Sequence, residues 1–520
     1  VQHALQQVKN SSGTAHISSA IECLELQQEH RLHTKLYVDI MTCLTRIGKP
    51  DRAMSWFISA QNHAVKLDVW MYTCAISACA KSSDVNGACK LLEDMHRTGI
   101  SADTCTYNAA ISACAKGRRW PMAIQLLRDM QGKGIPVNTI TYSSVISACD
   151  KCGEWQTAVQ LLQEMQEEGI PANTITYTSV ISGCKKAGQW QTALQLLDYM
   201  QDEGVTVDTM VYTEVIGACK KAKQWQKAVQ LLRDMQGKGI HASEITYNEV
   251  ISACAVCGIF KVTLQLMEEM RSKGLGVQTV TYSSVITSCE KAGQWQRALQ
   301  LLEEMQRTGI PMDTITYSTA ISACHKAGQW ERAVQLVDDM QKKGVPANTI
   351  TYNAAISACE RGRQWQHALQ LMHDMQEKGI PLNTITYSAA ISACEKVKQW
   401  QMALQLLKEM QKKGIPADTI VYSAAVSACE KAGQWQMAML LMASMQDKGI
   451  PADTITYNAV ISACEKGGQW QRALQLMKDM QGKGVPADTI TYSTAISACG
   501  KGGQWQRALQ LMKDMQGKGV

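Results

Sequence analysis

Phenylalanine is nearly absent from this sequence, at two residues in 520, and aromatic residues together make up 6%. That excludes a large core cemented by phenylalanine. No apolar run approaches the roughly 18–20 residues of a membrane-spanning helix, so no such span is expected. Charge of one sign is not in marked excess: the net charge is +6, too mild to prove or exclude a polyanionic partner. Where the charges sit decides more than their sum. No carboxylate cluster, histidine-rich metal set or nucleophile constellation stands outside the regular pattern of the chain. The ten histidines are scattered, and the closest late pair, His367 and His373, has no ligand-like spacing. The chain is therefore expected not to be an enzyme, and to use no cofactor, no metal and no small-molecule substrate. An initiator methionine is also missing. The sequence runs from Val1 to Val520 and reads as a piece of a longer protein, with any targeting segment or C-terminal effector domain out of view.

What is present is repetition. Tyr37, Tyr72, Tyr107 and Tyr142 open a series that recurs every 35 residues to Tyr492, through fourteen copies without insertion or deletion. A period of this size means a stacked array in which each copy buries its apolar face only against its neighbours. A chain of this length would otherwise suggest several globular domains. Counting positions 1 to 35 from Thr34 puts the tyrosine at position 4. Residues 1–33 do not match the repeat; Asn10–Gly13 reads as a loop and the stretch from Ser19 as a capped helix. This flank is a diverged segment or decayed repeat. Residues 34–68 form a degenerate first copy, and 69–520 an array whose last copy is truncated.

The copy Thr454–Asp488 shows the pattern. Positions 2–14 read as one helix, with Tyr457, Val460, Ile461 and Cys464 as a buried stripe at helical spacing. Gly467 and Gly468 break it. A second helix is expected from about Gln469 to Gln481, with Trp470, Ala473, Leu474, Met477 and Met480 forming an amphipathic stripe. Gly484 ends it, Pro486 prevents continuation, and Asp488 caps the next first helix. The fold class is all-α, a solenoid of helix–turn–helix repeats. The position-17 tryptophans (Trp120, Trp155, Trp190 and onward, with Phe260 once) share a face with core residues and read as packing, not as a platform for bases.

Cysteine is abundant, at 20 residues, but thirteen of these occupy position 11 from Cys79 to Cys499, where a small apolar residue is needed. Cys149/Cys152 and Cys254/Cys257 make isolated CxxC pairs three copies apart, too far to build one tetrahedral site. Thiols this regular fit a reducing compartment.

A second face of the first helix is not explained by folding. Position 2 is Ile140, Ile175, Met210, Ile245, Val280, Ile315, Ile350, Ile385, Ile420, Ile455 and Ile490, an apolar residue among polar ones. The plain structural reading is a hydrophobic staple at the helix start. Position 13 is Arg46, Lys81, Lys116, Lys151, Lys186, Lys221, Lys291, Lys326, Arg361, Lys396, Lys431, Lys466 and Lys501, with Val256 the exception. Such cations are usually just solvated; stacked once per copy along a groove, they also make a ladder for phosphates. Position 5 is almost always Asn, Ser or Thr and position 35 almost always Asp or Asn, and the two vary independently on a nearly constant scaffold. A surface that reads something different at each step would vary in this way.

Copies of 35 residues with Tyr at 4, Ala at 20, Met ending the second helix and Gly-Ile/Val-Pro-x-Asp/Asn at the end resemble pentatricopeptide repeats of the plain P type. The resemblance covers Val69–Val520 well and Thr34–Asp68 poorly. Tetratricopeptide repeats are the near miss, but they run about 34 residues and place their signature Trp and Tyr differently. The resemblance implies a right-handed superhelical solenoid that binds single-stranded RNA, one base per copy. Position 2 would sandwich the base and positions 5 and 35 would read its edge. Asp at 35 only accepts, which suits the ring N–H of guanine or uracil; Asn can donate, which suits the bare ring nitrogen of adenine or cytosine. In the family's pattern a small hydroxyl at 5 goes with purines and Asn with pyrimidines.

Carried over copy by copy, Thr73 with Asp103 favours G, Asn108 with Asn138 C, Ser143 with Asn173 A, and Thr178 with Asp208 G. Thr213 with Ser243 and Asn248 with Gln278 depart from the pattern and give only purine, then pyrimidine. Ser283 with Asp313 favours G, Ser318 with Asn348 A, and Asn353 with Asn383 C. Ser388 with Asp418 and Ser423 with Asp453 both favour G, and Asn458 with Asp488 U. Ser493 lacks its partner, and Val38 fits no rule. The expected target is 5′-GCAG-R-Y-GACGGU-3′, with a role in RNA processing, stability or translation and a mitochondrial or plastid location implied by the family alone. The alternative is a protein–protein interaction scaffold of the tetratricopeptide-like kind, whose lysines would grip peptide carboxylates; salt dependence separates the two.

Overall fold

The computed structural model describes residues 34–63 and 65–517, so the flank 1–33, with the helix expected after Ser19, lies outside the described residues. Helices alternate in pairs from Thr34–Ile47 and Pro50–Asn62 to Thr489–Lys501 and Trp505–Gly517, and there is no strand among the described residues. The degenerate copy at 34–68 is thus a helix pair like the rest. Contacts divide the chain between Ala253 and Cys254. Within each of the two blocks, first helices lie against the first helices of adjacent copies, and second helices lie against the first helix of their own and of the following copy.

Local chemistry sets each boundary. In the copy Thr454–Asp488 the first helix is Thr454–Lys466 and the second Trp470–Gly482, each displaced by one residue from the expected span. Asp453 caps the first helix by accepting from the Thr456 amide at 2.8 Å. At its other end Gly468 turns to φ 68°, so that its own amide reaches Glu465 O at 3.2 Å and the Gln469 amide reaches Cys464 O at 2.8 Å. This double bond to the last turn satisfies two of the orphan carbonyls. Gly484 repeats the device after the second helix, at φ 72°.

The first-helix stripe is buried as expected, with Tyr457, Val460, Ile461 and Cys464 inaccessible. The second-helix stripe needs a correction. Ala473, Leu476, Met477 and Met480 form the core, whereas Leu474 and Trp470 are half-buried. The helix is turned so that positions 20, 23, 24 and 27 face inward, and position 17 lies on its flank. There the next copy covers it: a Cβ on Gly467 would come within 2.3 Å of the Trp435 ring, and the Arg472 guanidinium lies 4.7 Å above that ring. Trp505, which no later copy covers among the described residues, is 65% exposed. Tryptophan is therefore a seam residue between copies.

The position-11 cysteines are buried and free. Burial pushes the thiols up, to about 11 for Cys464 and about 12 for Cys394, and burial with the adjacent Cys152 raises Cys149 to about 12. Thiols held protonated in this way are poor nucleophiles and poor metal ligands. Among the described residues no helix is long and apolar enough to cross a membrane.

Position 15, occupied by Gly468 in this copy, carries a side chain in the left-handed region in five others: Ser83, Arg118, Lys223, Arg363 and Lys398, at φ 55–62°. That conformation disfavours any residue with a Cβ by roughly 1–2 kcal/mol, partly offset by the greater unfolded-state freedom of glycine. Lys398→Gly is expected to stabilise the array by up to about 1 kcal/mol, measured as a rise in the urea midpoint followed by circular dichroism.

Candidate nucleic-acid interface

The position-2 side chains are the most exposed apolar residues of the first helices, from 55% for Met210 to 70% for Ile350. A staple would bury them, so folding makes no use of them. Trp70 holds the same position at 66% exposure, an aromatic member of the row that the pattern of branched residues did not reveal.

In the first block a cavity of about 320 Å³ shows how the expected site residues meet. Ile140 and Ile175, position 2 of consecutive copies, form two walls. Ser143 and Asn173, positions 5 and 35 of one copy, line it with them, and so do Lys116 and Lys151 of position 13. One apolar slot, one pair of edge-reading groups and two cations thus occur together, from residues up to 59 apart in sequence.

Position 35 has two uses, and each polar atom has one. Asp103, Asn138, Asn173, Asp313, Asn348, Asn383, Asp453 and Asp488 all cap the following helix through Oδ1, which accepts the position-3 amide at 2.8–3.1 Å. The second atom faces the groove side, an oxygen in Asp and an NH2 in Asn; at Asp488 that oxygen also accepts from Asn458 Nδ2 at 3.3 Å. The cap therefore fixes which polarity each copy presents. Ser243 spends its single oxygen on the cap, at 3.2 Å from the Thr246 amide, and Gln278 makes no side-chain cap; these are the two copies whose reading is weakest in the sequence.

A residue that sequence reasoning passed over links the pair. The threonine at position 3 is fully buried and stands between position 5 and position 35 of the copy before it. Thr176 Oγ1 is 2.7 Å from Ser143 Oγ and donates to Asn173 Oδ1 at 2.9 Å. Thr491 Oγ1 lies 2.6 Å from Asn458 Oδ1 and 2.9 Å from Asp488 Oδ1, while Asn458 Nδ2 donates to Asp488 Oδ1 at 3.0 Å. The signal was a polar residue recurring beside the tyrosine inside the apolar stripe.

The position-13 ladder is not uniform. Where position 12 of the preceding copy is acidic, the lysine pairs with it: Lys186 with Asp150 at 3.0 Å, Lys326 with Glu290 at 2.6 Å, and Lys396 with Glu360 at 2.9 Å. Lys431 pairs with Glu395 at 2.7 Å, Lys466 with Glu430 at 2.5 Å, and Lys501 with Glu465 at 2.7 Å. Position 9 joins in, with Ser497 donating to Glu465 at 2.7 Å. Burial would raise the Glu465 carboxyl, but Lys501 and Ser497 outweigh it and hold the group below the usual range. Where no acid precedes, the cation caps the end of the preceding helix, as Lys291 does at Val256 O, 2.7 Å, and Arg361 at Lys326 O, 2.8 Å. Lys221 reaches Lys186 O in the same way. At Lys81, Lys116 and Lys151 no acid pairs with the cation among the described residues, and burial, then Lys81 and Lys151, hold Lys116 below the ordinary lysine value.

Residues 67–116, 277–326, 312–361, 347–396, 383–431, 417–466 and 452–501 match the PPR repeat family, more than half of the chain. The chain belongs to this family. Further PPR repeats match at 245–275 and 490–520, and residues 106–235 match a family described as pentatricopeptide repeat-containing protein. The crystal structure of the pentatricopeptide repeat protein PPR10 from maize is similar over 99% of this chain and 83% of that one, at 21% identity and TM-score 0.57. PPR10 in complex with an 18-nt psaJ RNA element is similar over 99% and 78%, at 21% identity and TM-score 0.47. At such identity the likeness establishes the fold of a PPR array. No curated protein matches the sequence.

Within this PPR array Asp488 is the best-held reading group. Burial would raise its carboxyl, but bonds from the Thr491 amide and hydroxyl and from Asn458 hold it below the ordinary value. A depressed carboxyl contributes stability that is present above the unfolded value of ~3.9 and is lost as pH falls through the lowered one. Side-chain NMR should therefore find Asp488 titrating below ~3.9, and Thr491→Val should move its midpoint upward.

Proposed function

We propose that this chain binds single-stranded RNA sequence-selectively, one base per copy, and that it acts without catalysis in RNA processing, stability or translation in a mitochondrion or plastid. The observation that carries the reading is the cavity at Ser143 and Asn173, where an apolar slot, a fixed donor and two lysines converge. A base held between Ile140 and Ile175 would turn its edge to the second atom of position 35. Asp there accepts from a ring N–H, and Asn donates to a bare ring nitrogen. Splayed single-stranded bases are what such a surface can reach, and membership of the PPR repeat family points the same way. The expected target is 5′-GCAG-R-Y-GACGGU-3′.

A gel-shift titration with that RNA, a scrambled RNA of equal composition and the matching DNA tests the reading. Binding of the predicted RNA at least about tenfold tighter than either control is expected, of the order of one or two well-read bases. Equal binding to all three would leave a basic groove without base readout; no binding below micromolar would favour a peptide-binding scaffold.

The ion pairs at position 13 make a second expectation. Six lysines are already committed to acids of the preceding copy, while Lys221, Lys291 and Arg361 bond only neutral carbonyls and keep their charge, so phosphate contact falls mainly to these three with Arg46, Lys81, Lys116 and Lys151. At roughly −0.7 per contact on a single strand, the slope of log affinity against log salt should be about −5. A slope near −9, about thirteen contacts, would show that the ion pairs open for RNA.

A further inference from the structure

Two pairs of copies each share their residues at positions 5 and 35 but differ at position 3 of the next copy. Ser423/Asp453 is succeeded by Thr456, and Ser388/Asp418 by Val421; Thr73/Asp103 is succeeded by Thr106, and Thr178/Asp208 by Val211. The caps are the same, since Val421 and Val211 still donate their amides to Asp418 and Asp208 at 3.0 Å. The link between the two reading residues is the part that changes.

With threonine present, the polar atoms form a closed chain. Ser423 Oγ lies 2.7 Å from Thr419 O and 2.6 Å from Thr456 Oγ1, which lies 2.6 Å from Asp453 Oδ1. The chain begins at a carbonyl and ends at a carboxylate, both acceptors, and its two hydroxyls hold two protons for three gaps. Both protons are consumed inside it. Ser423 therefore turns only lone pairs to the groove, and Asp453 keeps Oδ1 engaged and Oδ2 outward. In the copies with Asn at position 5 the same threonine sets the amide: Thr386 Oγ1 donates to Asn353 Oδ1 at 2.7 Å, which leaves Nδ2 to approach Asn383 Oδ1 at 3.2 Å. Valine has no hydroxyl to close the chain: in front of Val211 the Thr178 hydroxyl keeps its bond to Thr174 O at 2.6 Å but has no hydroxyl link onward to Asp208, and Val421 likewise offers Ser388 no link to Asp418.

We infer that the buried threonine at position 3 is a positioning residue for base selection by the copy before it, and that copies succeeded by valine select their base less sharply. The inference rests on the RNA-binding reading above. The copies also supply their own control, because valine occurs naturally at this position and is compatible with the fold.

The test uses the whole chain and the predicted RNA, changing guanine to adenine at the tenth nucleotide, read by Ser388/Asp418, or at the eleventh, read by Ser423/Asp453. The eleventh change should weaken binding about five- to tenfold and the tenth about twofold, the scale of one oriented hydrogen bond. Thr456→Val should lower the eleventh penalty to the level of the tenth, Thr456→Ser should keep it, and Val421→Thr should raise the tenth. Melting temperatures are recorded beside each titration. A Thr456→Val protein that melts lower but keeps the full eleventh penalty would make the threonine merely structural and overturn the inference alone. A wild-type chain with no preference for the predicted RNA over its scramble would overturn the RNA reading and this inference together.

Discussion

An aspartate or asparagine ends most copies and accepts the amide of the third residue of the next one, at 2.8–3.1 Å. The rest of the arrangement depends on this bond. It starts the first helix by satisfying one of its orphan amides, and it joins one copy to the next. It also immobilises a side chain at the edge of a groove with one polar atom spent on the cap and the other on the groove side. Fold and recognition thus draw on the same carboxyl or amide. A helix cap usually tolerates Asp, Asn, Ser or Thr nearly interchangeably; here the choice among them changes the polarity offered to the groove without disturbing the cap.

The second constraint is the shape of the copy itself. Neither helix can bury its apolar face alone, so tyrosine, alanine and methionine at fixed positions pack a core that continues from copy to copy within each block. Because the scaffold is nearly constant, variation is tolerated only where it does not reach that core. Positions 2 and 13 project away from it, and positions 5 and 35 lie at its edge, where Thr213, Asn353 and Ser423 are buried. This is why apolar side chains more than half exposed can persist at position 2 without being folded into the interior.

Much of this was legible in the sequence because it is local. The 3.6-residue spacing gave the first-helix stripe, and glycine and proline marked the ends of both helices. The asparagine and aspartate at position 35 announced a cap. What escaped lies between copies. The second helix turns Leu476 inward instead of Leu474 because the following copy covers Trp470 from the side, and no periodicity within a helix contains that information. Where a position-13 lysine faces an acid, that acid is 36 residues away, as Lys466 and Glu430 show, so the ladder looked freer than it is. The threonine at position 3 was visible in the letters, but its role emerges only when position 5 of one copy and position 3 of the next stand side by side.

The pairing of position 13 with the preceding position 12 also bears on how such an array can grow. Copies from 349–383 to 454–488 all carry glutamate at 12 and a base at 13, so each presents a base to the copy before it and an acid to the copy after it. A copy duplicated or lost there by recombination between near-identical stretches would leave every lysine beside a glutamate. The copy at 174–208 carries Lys185 at position 12, which pairs with Glu214 at position 6 of the next copy at 3.5 Å, an acid that the copies from 349–383 onward do not have at that position. The seam chemistry therefore grades the array into a stretch where length is easily changed and one where order is held.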